Sequence, residues 1–193
     1  MNESAPATSG TEALLIARAQ RDPTAFAPLY ESYFDAVYRY CHARLGDAHA
    51  AEDAASTIFT RALIALPRFR PNERDGSFRS WLFTIAHNVV VNQYRDRHRH
   101  PTAALSDAEA LLDGAASPEE AALSAEMRRS LYDLLAQLTD EQRRVVELRL
   151  AGLTDKEIAS VLGRNHGAVR AAQYRAVVRL RALFGSAKEE PYG

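Results

Sequence analysis

The sequence predicts an all-α protein built from two small helical domains joined by a flexible acidic linker. Three observations lead there. Apolar residues recur at spacings of three and four, and no segment sustains the alternation of a strand. Two capping boxes, Thr139-Asp140-Glu141-Gln142 and Thr154-Asp155-Lys156-Glu157, mark helix starts, because the threonine hydroxyl and the Gln or Glu side chain satisfy each other's orphan amides. Between the helical stretches, 101–117 turns to Ala, Ser, Asp and Gly, punctuated by Pro101, Gly114 and Pro118, the composition of a flexible spacer.

The elements follow in order. A short helix over Glu12 to Arg21 precedes a longer one whose stripe Phe26, Leu29, Tyr30, Tyr33, Val37, Tyr40 and Cys41 ends near Leu45-Gly46. A third runs from Ala48 to Leu66, with Ala51, Ala55, Ile58, Phe59, Ala62 and Leu63 on one side, and Pro67 closes it. A polar loop from Pro67 to Gly76 carries Arg68, Arg70 and Arg74, and a fourth helix runs from Ser77 to Arg99. Ser117-Pro118-Glu119-Glu120 restarts the helical pattern with an N-cap residue, a proline at the first position and acids in the first turn, giving a helix over Pro118 to Gln137. Two more helices begin at the capping boxes. The domains are therefore 12–100 and 118–185, with a tail at 1–11, the linker at 101–117 and a second tail at 186–193.

With 193 residues and 47% apolar content, either domain has material for a core, though a small one. Cys41 is the single cysteine, which excludes an intramolecular disulfide framework and a cysteine-based zinc site. No run of about 18 uncharged apolar residues occurs, and Met1 to Thr11 lacks a basic or apolar leader, so a cytoplasmic protein without membrane insertion is expected.

The formal charge of −1 conceals segregation. Residues 1–100 carry 12 basic and 11 acidic groups, 101–127 carry 6 acidic and no basic ones, and 128–193 carry 12 basic and 8 acidic. Arg164, Arg170, Arg175, Arg179 and Arg181 fall in eighteen residues without a carboxylate. That is the footprint of a surface that meets phosphate, or of a merely solvated helix face.

The second capping box opens a helix of about two turns, followed by Gly163, Arg164-Asn165-His166 and a long helix through Val169, Ala172, Ala176, Val177, Leu180 and Leu183. A short helix, a tight glycine-bearing turn and a second helix with small residues at the crossing form a helix-turn-helix signature. The outer face of the second helix offers His166, Arg170, Tyr174 and the following arginines to a major groove and its flanking phosphates; a plain helical hairpin is the alternative. The fourth helix carries two stripes. Leu82, Ile85, Ala86 and Val89 form an apolar one, whereas Trp81, Thr84, Asn88, Asn92, Arg95 and Arg99 mix aromatic, amide and cation. Aromatics stack on unpaired bases, amides read their edges and Arg holds the backbone, so this face suits single-stranded or distorted DNA. The competing reading makes Trp81 core and the arginines solvated.

No catalytic constellation is present in the sequence. His98 and His100, two apart, diverge on a helix, and there is no phosphate-binding glycine loop, Gly-x-Ser-x-Gly or His-Glu-x-x-His. Neither an enzyme nor a metal or other cofactor is expected.

The residues now on the page resemble region 2 and region 4 of the extracytoplasmic-function (ECF) group of bacterial sigma factors, of the sigma-70 family. The region 2 resemblance lies in Ala51-Glu52-Asp53-Ala54, Ile58-Phe59-Thr60-Arg61-Ala62, Phe78 through Asn88, and Tyr94-Arg95. Region 4 is resembled by Leu138 through Val146, Leu153 through Ala159, Gly167-Ala168-Val169-Arg170, Arg175-Ala176 and Leu180-Arg181. The match spans about Phe26 to Phe184, in the right order.

The resemblance implies a subunit that directs core RNA polymerase to promoters and opens their −10 element. Region 2 would dock on the β′ clamp helices through the third helix, at Asp53, Ser56 and Phe59, with Ser56 standing where glutamine is common. The loop before helix four and its start would capture a base flipped from promoter DNA, with Arg74, Trp81, Asn88, Asn92, Arg95 and Arg97 on bases and phosphates, offsetting a few kcal/mol of lost stacking. Region 4 would bind the β flap and the −35 element through Asn165, His166, Arg170, Tyr174 and Arg175; Ala171-Ala172 replace the Ser-Arg common in relatives. An anti-sigma factor is a further expected partner. A helix-turn-helix regulator that acts without polymerase, or a helical adaptor, are the competing readings.

Overall fold

The computed structural model describes residues 8–71, 76–99, 130 and 133–186, the side chains of 8, 9, 94, 96–99, 185 and 186 excepted. Among these, the regular elements are all helices: α1 (Thr8–Ala19), α2 (Ala27–Leu45), α3 (Ala48–Ala65), α4 (Phe78–Arg99), α5 (Asp140–Leu150), α6 (Asp155–Leu162) and α7 (His166–Ser186), with 3-10 turns at Pro23–Phe26 and Leu66–Arg68. Residues 133–136 are also helical. The linker and most of the predicted helix over Pro118 to Gln137 lie outside the described residues.

Local chemistry fixes the boundaries. Asp22 accepts from the Thr24 amide (2.9 Å) and Asp47 from the Ala50 amide (2.7 Å), each satisfying an orphan donor. Helix α2 stops at Gly46, whose φ of 70° is left-handed and suits a residue without Cβ. Pro67 falls inside the 3-10 turn that ends α3. Both capping boxes form with reciprocal hydrogen bonds. Helix α1 begins at Thr8, four residues before the predicted start.

Helices α2, α3 and α4 make the first bundle. Leu29, Val37, Tyr40, Ile58, Leu66, Leu82, Phe83, Ala86 and Val90 are buried, and Ala51, Ala54 and Ala55 let α3 lie close to its neighbours. Gln20 pins α1 to the far end of α3 by donating to the Leu66 and Phe69 carbonyls at 3.0 and 2.8 Å. Helices α5 to α7 make the second bundle around Val145, Leu148, Leu153, Ile158, Val161, Val169 and Ala172. A smaller cluster of Leu135, Leu138 and Ala176, flanked by Val146 and Leu180, extends it along α7. The two bundles also pack on each other: their buried side chains form one continuous apolar cluster, with α4 against α6 and α2 against α5.

Candidate nucleic-acid and polymerase interface

The turn between α6 and α7 shows how the sequence builds a helix-turn-helix. Gly163 takes φ 60°, and the Arg164 amide donates to the Ala159 carbonyl (2.9 Å), reversing the chain in two residues. Val169, 1% exposed, then fastens α7 to α6, as its spacing predicts. Core-facing Val169, Ala172 and Ala176 leave the opposite face of α7 to solvent.

On that face the structure brings together most of the predicted residues. His166, Arg170 and Arg175 are exposed, and Tyr174 is 72% exposed, so its ring is presented rather than packed. Arg164, Arg179 and Arg181 are exposed as well, which makes the carboxylate-free cation run a surface. Asn165 acts locally, because its side-chain oxygen accepts from the Ala168 amide (2.7 Å) and starts α7. The alternation of polar residues around the turn does not distinguish a cap from a base contact. Asp155 sits behind the turn, with His166 Nε2 at 3.7 Å and Arg149 paired to it. Arg149 also donates to the Leu153 carbonyl (2.8 Å) and to Gln173 (3.3 Å), tying α5, the connecting turn and α7 together. Arg175 lies 3.9 Å from Glu141.

The mixed stripe of α4 divides along its length. Asn88, Asn92 and Arg95 are exposed. Trp81 is half-buried against Phe69 and Phe78, with ring centroids at 4.8 and 5.4 Å, and Thr84 donates to the Ser80 carbonyl (2.8 Å). The indole thus anchors the start of the stripe to the bundle. Arg74 and the side chain of Arg97 lie outside the described residues.

On the outer face of α3, Asp53 and Ser56 are exposed one turn apart. Phe59 is not an exposed contact: it is buried, and its ring meets Phe26, Tyr30 and Phe34 at centroid distances of 6.4, 4.6 and 6.3 Å. It floors an open groove of about 390 Å³ whose walls include Tyr30, Phe34, Ser56 and Leu63. Spacing puts Phe59 on the apolar side of α3, but it does not show that aromatic residues of α2 complete a groove around it.

Sequence reasoning missed a polar cluster where the bundles meet. Arg44, at the end of α2, reaches Asp140 Oδ1 (2.7 Å) and Glu147 Oε2 (3.3 Å), and Arg143 holds Glu147 Oε1 (2.7 Å). Burial pushes the Glu147 carboxyl above its usual range against the pull of both guanidiniums, whereas Asp140, also opposed by burial, is held below its range by Arg44. The available signal was Glu147 itself, a carboxylate flanked by Val145 and Leu148 in an inward-facing stripe.

The comparisons agree with this geometry. Residues 29–100 match the family model for sigma-70 region 2, and 128–180 match that for sigma-70 region 4. The chain is 38% identical over 175 residues to the ECF RNA polymerase sigma factor BldN of Streptomyces coelicolor, covering 88% of this chain and 64% of that protein. To the ECF RNA polymerase sigma factor ShbA of Streptomyces griseus it is 42% identical over 154 residues, covering 75% and 80%. The solved structure of CnrH in complex with the cytosolic domain of CnrY superposes with a TM-score of 0.69 at 26% identity, covering 90% of this chain and 96% of that one. With both family regions in order, and ShbA matched at 42% identity over 80% of its length, the chain belongs to the ECF sigma factors of the sigma-70 family.

Proposed function

We propose that this chain directs core RNA polymerase to a set of promoters: α4 engages the opened −10 element, α7 reads the −35 element as duplex, and the outer face of α3 docks on the β′ clamp helices. The observation that carries the reading is the presence, on one family member, of two separate exposed polar and cationic faces, Asn88-Asn92-Arg95 and His166-Arg170-Tyr174. A third face, the aromatic groove beside Asp53 and Ser56, supplies apolar area for a protein partner. The second bundle binds the β flap. CnrH was solved in complex with the cytosolic domain of CnrY, and by analogy an anti-sigma protein is a further partner of this chain. The chain acts in the cytoplasm as a regulatory subunit without covalent chemistry of its own; among the described residues no helix is long and apolar enough to cross a membrane.

Promoter opening by reconstituted holoenzyme tests the reading. Asn88→Ala together with Asn92→Ala is expected to impair opening while leaving polymerase binding intact, and Ser56→Arg to weaken polymerase binding. Loss of docking in the asparagine variant refutes the assignment of α4, and operator-like binding without polymerase refutes the subunit role.

A further inference from the structure

Helix α1 precedes the region 2 match at 29–100, yet its polar side chains reach into the segment that leads to α4. Gln20, half-buried in the turn that closes α1, donates its amide to the Leu66 carbonyl at 3.0 Å and to the Phe69 carbonyl at 2.8 Å, using both of its N–H groups. Those carbonyls stand at the start of the 3-10 turn Leu66–Arg68 and just past its end, so one side chain clamps the turn across its length. Neither carbonyl depends on Gln20 for a partner. The Phe69 amide donates to the Leu66 carbonyl (3.0 Å), and Arg70 donates to the Phe69 carbonyl (2.8 Å). An acceptor that is already satisfied gains little stability from a further donor. What the Gln20 amide adds is a fixed course for the chain as it leaves the turn.

That course ends on Phe69, which is 4% exposed. Its ring meets Phe78 and Trp81 at the start of α4, with centroids 5.6 and 4.8 Å away. Tyr33 backs Phe78 at 5.4 Å, and its hydroxyl donates to Glu12 of α1. Helix α1 therefore holds this aromatic cluster twice, through Glu12 on Tyr33 and through Gln20 on the backbone of Phe69. The half-buried indole of Trp81 is the member of the cluster that heads the exposed stripe Asn88-Asn92-Arg95. A ring that stacks on an unpaired base works only from a fixed place, because small misplacements of a positioned group cost much of its effect. Resting on the −10 assignment of α4 made above, we infer that Gln20 is a positioning residue for promoter opening: through Phe69 it sets the Trp81 indole where a base released from the duplex can stack on it.

Trp81 is the only tryptophan of the chain, so its fluorescence reads the inference directly. Gln20→Met keeps the length of the side chain and removes its donors. At unchanged helix content by circular dichroism, its indole emission is expected to move to longer wavelength and to be quenched more strongly by acrylamide. Open complexes are then measured on a promoter recovered by wild-type holoenzyme from a randomised duplex library. Gln20→Met should reduce opening about tenfold, the scale of an ordinary hydrogen bond or two, with core polymerase affinity unchanged. On the same promoter with its −10 bases already unpaired, the deficit should shrink to about twofold, because those bases no longer have to be drawn from the stack. Phe69→Leu, which leaves the backbone bonds of Gln20 in place, should show the same defect. Combined with Gln20→Met it should lose little more, since both act through one contact. Unchanged emission in a helical Gln20→Met overturns the inference. So does equal loss on paired and unpaired templates, or a parallel loss of polymerase affinity, either of which makes α1 a general folding element. Loss of helix in Gln20→Met passes the decision to Phe69→Leu, where full opening, or loss of helix again, overturns the positioning role. A wild-type holoenzyme that recovers no promoter refutes the proposed function instead, while the emission shift still decides whether Gln20 places the indole.

Discussion

The Tyr40 hydroxyl lies 3.1 Å from His87 Nδ1, joining α2 to α4 beneath the contact between the bundles. Burial, then the nearby Arg144 and Arg44 guanidiniums, depress the His87 pKa from 6.5 to about 4, with Asp140 opposing. At neutral pH the ring is uncharged, and protonating it places a charge in a half-buried site beside two guanidiniums.

The sign of the resulting pH dependence follows from linkage. The unfolded chain takes up a proton near pH 6.5 and the folded one only near 4, so the stabilisation is complete above 6.5 and is lost as pH falls through that window. After allowance for the ring's partial exposure, the loss is about 1–2 kcal/mol. Urea unfolding of wild type and His87→Gln at pH 7 and 4.5 checks it: the variant should show a flatter pH dependence, and an identical slope would exclude His87 as the source.

Cys41 is buried, and desolvation pushes its thiol from 9.0 up to about 12, so its thiolate fraction is about a thousandfold below that of an exposed cysteine. Alkylation at pH 8 is expected to proceed only with global unfolding. Rapid labelling of the native chain would show that the α2–α3 core opens locally.

The Thr154 box starts the first helix of the helix-turn-helix. Its hydroxyl accepts from the Glu157 amide (3.3 Å), and the Glu157 carboxylate accepts from the Thr154 amide (2.8 Å). Against the effect of burial, hydrogen bonds from Ser77 and Thr154 hold that carboxyl below its usual range. Thr154→Ala should destabilise by about 1 kcal/mol and Thr154→Ser by little, measured by denaturant midpoint.

Two glycines separate strain from sterics. Gly163 and Gly76 both have positive φ, but a Cβ at Gly163 meets nothing within 4 Å, whereas one at Gly76 runs into the Ser80 hydroxyl. Gly163→Ala should cost about 1 kcal/mol from backbone strain alone. Gly76→Ala should cost more in the same unfolding assay; equal losses would mean that Ser80 yields freely.

Much of the architecture was legible because it is set by neighbours in sequence. The threonine boxes, the stop at Gly46 and the Gly163 turn depend on residues within about four positions, and periodicity identified Leu82, Ala86 and Val169 as inward-facing. The sites were legible only in part. The cation run of α7 and the exposure of Asn88, Asn92 and Arg95 agree with spacing, while Trp81 anchors, Phe59 floors a groove and Asn165 caps. Spacing specifies a face; what meets that face comes from elsewhere in the chain.

The amino-acid order alone therefore determined α2 to α7, the caps that bound them, the helix-turn-helix and the segregation of cations, because each arises from hydrogen bonds and side-chain directions within a few residues. Only the tertiary structure decided that the two bundles close on one another. That contact pairs Arg44 with a carboxylate 103 positions away, and a local pattern contains no information about which distant charge will neutralise it.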